Sequence, residues 1–283
     1  MSQSFIPQNI EKMIFKKFET SKGELICAIK DEYGDIDVYE KNGRRSLYFG
    51  NGVKQSEILT EVPYLPTMEY LEVMLGGILF TTEVSLLYFM GLGGGTLPHY
   101  FHHFFPSSLL VVSELRQVVH EIARTCFHFP ESNRIKMQFS DGCEFLRTSN
   151  MSFDLLFLDV FDADGLSTQI KQTRIDDLIL PYILSGGVAV LNLWESDYTQ
   201  VRQLEWLAAF ENKITMLKYR VETSKNIILY LIPTNSLQNC NKRSLELNSF
   251  TPKFENINLQ KIIRNLEIQN NIQLNNTTIN EEY

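Results

Sequence analysis

The chain has 283 residues, with 26 Lys and Arg against 34 Asp and Glu and a formal net charge of −8. A composition that is 44% hydrophobic and 12% aromatic can bury a full core, which excludes global disorder. The acidic surplus repels phosphate backbones, and no run of Lys and Arg forms the basic stripe that nucleic-acid binding needs, so cationic or neutral partners are favoured.

Residues 1–18 mix Pro7, Glu11, Lys12, Lys16 and Lys17 with isolated apolar residues and lack the continuous apolar region of a secretory signal. The longest apolar stretch, 75–97, is interrupted by Glu83 and by several glycines, so no membrane segment is expected. Cys27, Cys126, Cys143 and Cys240 are far apart and form no C-x-x-C pair, the pattern of reduced thiols in a cytoplasmic protein.

Residues 14–62 alternate β-prone runs with the turn signals Ser21-Lys22-Gly23, Tyr33-Gly34-Asp35, Asn42-Gly43 and Asn51-Gly52. Asn-Gly supplies the positive φ angles of a type I′ turn, predicting a hairpin between 36–39 and 46–49 and a small antiparallel β domain over 1–62. From Tyr64 the rhythm changes. A helix is expected around 69–77, followed by apolar runs at 84–90, 109–113, 135–139, 153–158 and 187–191 with helical patterns between them. Such continuous apolar runs suit parallel strands covered on both faces, so 63–233 reads as a doubly wound α/β body. The runs 214–221 and 226–232, joined by Glu222-Thr223-Ser224-Lys225, predict a closing hairpin at an antiparallel edge. Residues 234–283 are rich in Asn and Gln and are expected to form a tail with a short helix near 256–269, fraying beyond Asn270.

The first strand of the body leads into Gly91-Leu92-Gly93-Gly94-Gly95-Thr96. Gly91, Gly93 and Gly95 allow a tight turn and let a ligand approach the backbone at a helix N-terminus. Glu114 follows about 20 residues on, at the end of the second strand, where an acid can accept hydrogen bonds from ribose hydroxyls. A nucleoside ligand is indicated, although a glycine turn that merely permits packing is the plain alternative. The dinucleotide pattern G-x-G-x-x-G is not met, because Thr96 holds its third glycine position. Asp141, in Ser140-Asp141-Gly142, is placed to accept from an adenine amine or to form an Asx turn before a helix. Asp159, Asp162 and Asp164 fall within six residues and repel one another unless a cation or bulk water compensates. They indicate a cationic substrate or, more simply, an acidic surface loop. Trp194-Glu195 ends the fifth strand, where Glu195 can meet an amine, a core or interface tryptophan being the alternative. His99, His102 and His103 share one helix at metal-compatible spacing but lack a second ligand cluster; an amphipathic surface helix, and no metal, is expected.

In order and spacing, Asn51-Gly52-Val53-Lys54-Gln55, Glu69-Tyr70-Leu71-Glu72, the glycine loop, Ser113-Glu114, Ser140-Asp141-Gly142, Asp159-x-x-Asp162 and Gly186-Gly187-Val188 resemble the spermidine synthase family of polyamine aminopropyltransferases. The resemblance implies a Rossmann-like S-adenosylmethionine-dependent methyltransferase fold with a small N-terminal antiparallel β domain, assembled as a homodimer. It implies transfer of an aminopropyl group from decarboxylated S-adenosylmethionine, the nucleoside sulfonium donor, to a polyamine such as putrescine. By the same resemblance Gln55, Gly91, Gly93, Gly95, Glu114, Asp141 and Gly142 hold the donor, Tyr70 lies beside the reacting amine, Asp162 is the catalytic aspartate and Asp159 its companion. The chemistry agrees: a protonated amine needs a carboxylate to bind it and take its proton before nitrogen attacks the carbon next to a sulfonium. Three positions depart from the family pattern. Gly94 stands where an acid usually holds the donor's aminopropyl ammonium, Arg116 replaces an acid, and Ala163-Asp164-Gly165-Leu166-Ser167 replaces a proline-bearing gatekeeping segment. The chain thus resembles the outlying spermidine synthase-like branch with a GxGGG loop. Gly94 keeps open ordinary S-adenosylmethionine and methyl transfer, and a degenerate nucleoside- or polyamine-binding protein is the non-enzymatic alternative.

Overall fold

A computed structural model describes residues 19–50, 52–159, 161–162, 165–166, 175–195, 214–234 and 257–268. Five strands, β1 (Glu19–Thr20), β2 (Gly23–Asp31), β3 (Gly34–Lys41), β4 (Arg44–Phe49) and β5 (Lys54–Leu59), form an antiparallel sheet in sequence order. The turn between β3 and β4 places Asn42 at φ 53 and Gly43 at φ 72, both left-handed, and the expected hairpin forms with Ile36 opposite Phe49 and Tyr39 opposite Ser46. Between β4 and β5 the register slips: Leu47 faces Ser56 while Tyr48 faces Lys54, leaving Gln55 as the extra residue of a bulge. Glu57, one turn of the pleat further, accepts from Arg44 (2.7 Å), Lys54 (2.5 Å) and Ser46 (3.0 Å). Desolvation pushes its carboxyl up, and these donors more than offset it, holding the group below its ordinary range.

The second sheet is built on β6 (Leu86–Met90), β7 (Leu109–Ser113), β8 (Ile135–Gln138), β9 (Leu155–Leu158), β12 (Val188–Trp194), β13 (Ile214–Arg220), β14 (Asn226–Pro233) and β15 (Glu267–Ile268). Its spatial order is β15-β13-β14-β12-β9-β6-β7-β8, with β8, β7, β6, β9 and β12 parallel and the other pairings antiparallel. A two-stranded ribbon, β10 (Phe161–Asp162) and β11 (Gly165–Leu166), follows β9. The helices are α1 (Glu69–Leu75), which tightens into a 3-10 turn over Gly76–Phe80, α2 (Thr96–Phe104), α3 (Gln117–Cys126), α4 (Gly142–Thr148), α5 (Ile175–Leu184) and α6 (Leu259–Arg264). None of these is long and apolar enough to cross a membrane.

Strand pleating divides the core. Leu87 and Phe89 of β6 face a cluster with α1 and α2, while Tyr88 and Met90 face one with α4 and α5, so both faces are covered and the strands are apolar throughout. A third cluster joins the sheets: Cys27, Ile29, Ile36, Val38, Leu47 and Ile58 pack on Val118, Val119, Ile122 and Cys126 of α3.

Two sequence expectations are corrected. The hairpin of β13 and β14 does not end the sheet, because Glu267 and Ile268 pair with Lys218 and Leu217 and supply a further edge strand that covers the open hydrogen-bonding groups of β13. The tail helix is shorter than 256–269: Asn258 caps it by accepting from the Lys261 N–H at 2.8 Å, and it stops at Arg264 so that the chain can turn into β15. Residues 1–18, 235–256 and 269–283, including Cys240, lie outside the described residues.

Gly77 touches β12 so closely that a Cβ would lie 2.5 Å from Cγ2 of Val190. Gly77→Ala is therefore expected to overpack this face and cost about 1–3 kcal/mol, read as a lower midpoint in thermal unfolding.

Candidate active site

The parallel strands run outward in opposite directions from β6, to β7 and β8 on one side and to β9 and β12 on the other, which makes the gap between β6 and β9 the switch point of the sheet. The glycine loop leaves β6 there. Gly91 and Gly95 adopt φ angles of 93 and 80, Gly91 N–H donates to the Ser113 carbonyl (2.9 Å), and Gly95 leads directly into α2. The loop is also closed from behind. Gly94 N–H donates to Ser56 Oγ at 2.9 Å, and a Cβ at position 94 would lie 2.9 Å from Phe127 Cδ1 and 3.0 Å from Ser56 Cβ. A side chain there must displace an aromatic ring, which is a steric reason for glycine. Thr96 Oγ1, buried in the first turn of α2, has no hydrogen-bond partner among the described residues.

Glu114 follows β7 with both carboxylate oxygens engaged: Oε2 accepts from Leu92 N–H (3.0 Å) and Oε1 from Arg116 N–H (2.9 Å). Desolvation pushes this carboxyl up, against the pull of those backbone donors. Arg116, the residue in place of an expected acid, forms a two-point ion pair with Asp31 (2.9 and 2.7 Å), donates to the Gly34 carbonyl (3.1 Å) and lies 4.6 Å over the Phe49 ring. The arginine thus ties the strand end that carries Glu114 to β2 and β3. Gln55, in its bulge beside Ser56, lies on the strand that reaches the glycine loop.

Asp141 caps α4, its Oδ1 accepting from Glu144 N–H at 2.9 Å, so the turn-forming alternative accounts for one of its oxygens. Gly142 is required by packing, since a Cβ would lie 2.4 Å from Met90 Cγ and 3.0 Å from the Tyr88 hydroxyl. Exposed Leu115 and Phe139 follow β7 and β8 at the same edge of the sheet.

Asp159 immediately follows β9, its N–H donating to the Met90 carbonyl at 3.0 Å. Its Oδ1 accepts from Asn192 Nδ2 (2.8 Å), and the Tyr70 phenol lies beside the same carboxylate and interacts with it. Desolvation raises the Asp159 carboxyl and outweighs the lowering influence of Asn192 and Tyr70; desolvation together with the Asp159 charge holds the Tyr70 phenol well above its usual value. Asp162 lies in β10, backbone-paired with Gly165, while its side chain and residues Ala163, Asp164 and Ser167 lie outside the described residues. Glu195 sits beyond β12, where Oε1 accepts from Arg220 Nη2 at 2.6 Å. Of the three histidines, His103 stacks on Tyr64 (3.7 Å, 6°), and desolvation takes His99 down to about 4. Among the described residues no group of three His, Cys, Asp or Glu is arranged to hold a metal.

No protein-family model matches the chain. The polyamine aminopropyltransferase of Neisseria meningitidis serogroup A / serotype 4A is 25% identical over 191 residues, spanning 66% of this chain and 73% of that protein. The spermidine synthase structure from Thermotoga maritima superposes with a TM-score of 0.65 at 13% identity, covering 87% of this chain and 85% of the other. A spermidine synthase solved with the transition-state analogue AdoDATO gives a TM-score of 0.60 at 15% identity, covering 76% of each chain. The chain is thus similar in sequence to polyamine aminopropyltransferases and in fold to spermidine synthases. A shorter similarity, 30% over 131 residues, is to the bovine eEF1A lysine and N-terminal methyltransferase, and it spans 41% of this chain and 18% of that protein. The fold itself is Rossmann-like, of the methyltransferase type, with an antiparallel sheet at its N-terminal end.

Within this fold the structure brings Tyr70 to Asp159, and the glycine loop to Glu114, across adjacent strand ends. It also reveals residues that sequence reasoning missed. Buried Asn192 and Asn226 hydrogen-bond each other at 2.8 Å behind Asp159, and Ser56 anchors the loop. Their signal was weak but present: Asn192 interrupts the apolar run of β12, and a buried amide in a strand needs a partner.

Because desolvation raises the Asp159 carboxyl, folding favours its protonated form, and stability is lost as pH rises from the ordinary carboxyl value through that raised value. Asp159→Asn is expected to raise the unfolding midpoint at neutral pH, with the gain vanishing as pH falls to the ordinary carboxyl value of about 3.9. Urea unfolding at both pH values checks this.

Proposed function

We propose that the chain is an aminopropyltransferase of the spermidine synthase type that moves an aminopropyl group from decarboxylated S-adenosylmethionine to a polyamine such as putrescine. The observation that carries the proposal is the Tyr70 phenol set beside the Asp159 carboxylate at the switch point, with Asp162 three residues on. A phenol oxygen and a carboxylate held together in this way can orient a diamine's ammonium group, and an aspartate at 162 can take its proton. Nitrogen then attacks the carbon bonded to sulfur, the carbon–sulfur bond breaks, and the thioether nucleoside leaves. A sulfonium needs little help to depart, so orientation and proton removal are the main tasks of the protein.

Donor binding is assigned to Gln55, Gly91, Gly93, Gly95, Glu114, Asp141 and Gly142. Glu114 retains lone pairs for ribose hydroxyls after accepting two backbone N–H groups, and Leu115 and Phe139 offer exposed apolar surface for a planar base. Thr96 Oγ1, without a partner among the described residues, supports a polar ligand at the loop. Glu195 is the outer acid of the acceptor path, where an incoming ammonium would replace Arg220.

Methyl transfer from ordinary S-adenosylmethionine is the second reading, favoured by Gly94. Phe127 and Ser56 fill the space that a side chain there would need, and no carboxylate at that position repels a donor carboxylate. Titration calorimetry with decarboxylated and ordinary S-adenosylmethionine, followed by mass analysis of a mixture with putrescine, separates the readings. The expected result is tighter binding of the decarboxylated donor and a product heavier than putrescine by one aminopropyl group; binding of neither nucleoside overturns both readings. Asp162→Asn is expected to slow transfer about 10²–10⁴-fold with donor affinity nearly unchanged.

A further inference from the structure

Behind Asp159 runs a directional chain of side-chain hydrogen bonds. Ser224 Oγ donates to Asn226 Oδ1 (2.6 Å), Asn226 Nδ2 donates to Asn192 Oδ1 (2.8 Å), and Asn192 Nδ2 donates to Asp159 Oδ1 (2.8 Å). Asn192 and Asn226 are 3% and 9% exposed, so water cannot readily substitute for either partner. An ionised carboxylate only accepts hydrogen bonds, whereas an amide offers an acceptor on one side and a donor on the other. The orientation of one amide therefore dictates that of the next. Among the described residues the side-chain partners of Asp159 are Tyr70 from α1 and Asn192 from β12, neither of them a cation. The orientation of one amide thus decides whether the carboxylate meets a donor or an acceptor.

We propose that Asn226, which does not touch Asp159, is a positioning residue: by donating to Asn192 Oδ1 it keeps Asn192 Nδ2 turned toward Asp159 and so favours the ionised carboxylate. The polarity originates on β14, beyond β12, with Ser224 at the exposed end of the chain. Replacing the Asn226 amide by a carboxylate removes the donor, and Asn192 then turns its Nδ2 toward β14 and its Oδ1 toward Asp159. Two acceptors in contact hold a proton between them, which raises the pH at which Asp159 ionises.

The test is titration of the full chain labelled with ¹³C at aspartate side-chain carboxyls, with the Asp159 signal assigned by its loss in Asp159→Asn. Asn226→Asp is expected to move the Asp159 midpoint up by about one pH unit or more, and Asn226→Ala to move it in the same direction by less. A rise in Asn226→Asp alone would mark simple charge repulsion and overturn the proposal, as would unchanged midpoints in both folded variants. Should the variants not fold, the unaltered protein decides: the side-chain amide protons of Asn192 must titrate with the Asp159 midpoint, and amide protons indifferent to it refute the arrangement. This measurement needs no substrate. The link to catalysis rests on the proposed transfer reaction and has its own readout, the acid limb of the kcat profile, which should move up with the midpoint. A midpoint that moves while the limb stays refutes a catalytic use of Asp159 and leaves the relay standing.

Discussion

The pairing of Met90 with Leu158 governs the functional edge of the molecule. It brings the end of β6 against the end of β9 although nearly seventy residues of chain separate them, and it does so where the strand order reverses. The glycine loop continues from one strand and Asp159 from the other, and the Asp159 N–H donates back to Met90. A doubly wound sheet leaves a crevice at such a point because the helices on either side depart toward opposite faces. Gly142 depends on the same strand, since its lack of a side chain admits Met90 and the Tyr88 hydroxyl beneath α4.

The N-terminal sheet completes this edge. Ser56 receives the Gly94 N–H, Arg116 clamps Asp31, and Arg45 donates to the Cys126 carbonyl at 2.5 Å. These contacts surround an apolar interface on α3, so polar anchors set the geometry while hydrophobic burial supplies most of the attraction. Arg116 joins both roles. Its backbone N–H fixes Glu114, and its guanidinium fixes the sheet that carries Gln55 and Ser56. The position that departs from the family pattern by charge is thus spent on joining the two sheets. Gly94, another departure, is explained locally by the Phe127 ring.

Much of the architecture was legible in the sequence because it rests on short-range rules. Asn42-Gly43 specified its hairpin through left-handed φ angles, and the apolar runs announced parallel strands through burial on both faces. Strand β15 was not legible: Glu267 and Ile268 have no marked β pattern, and only the open edge of β13 recruits them. At the site, the positions of Glu114 and Asp159 at strand ends followed from spacing. The cap that Asp141 places on its own helix was legible as a local turn signal, whereas the pairing of Glu195 with Arg220 and the Tyr70–Asp159 contact were not, because each depends on which side chain stands opposite in space.

The sequence by itself determined the order of elements, the glycine loop, the acids at the strand ends and the resemblance to aminopropyltransferases, since all of these are written as local pattern and spacing. Tertiary structure alone decided what those acids meet. Whether Asp159 faces a donor or an acceptor turns on Asn192 and Asn226, residues 33 and 67 positions downstream that reach it only through the pairing of β9, β12 and β14. Hydrogen-bond polarity is a property of neighbours in space, and a linear pattern does not encode it.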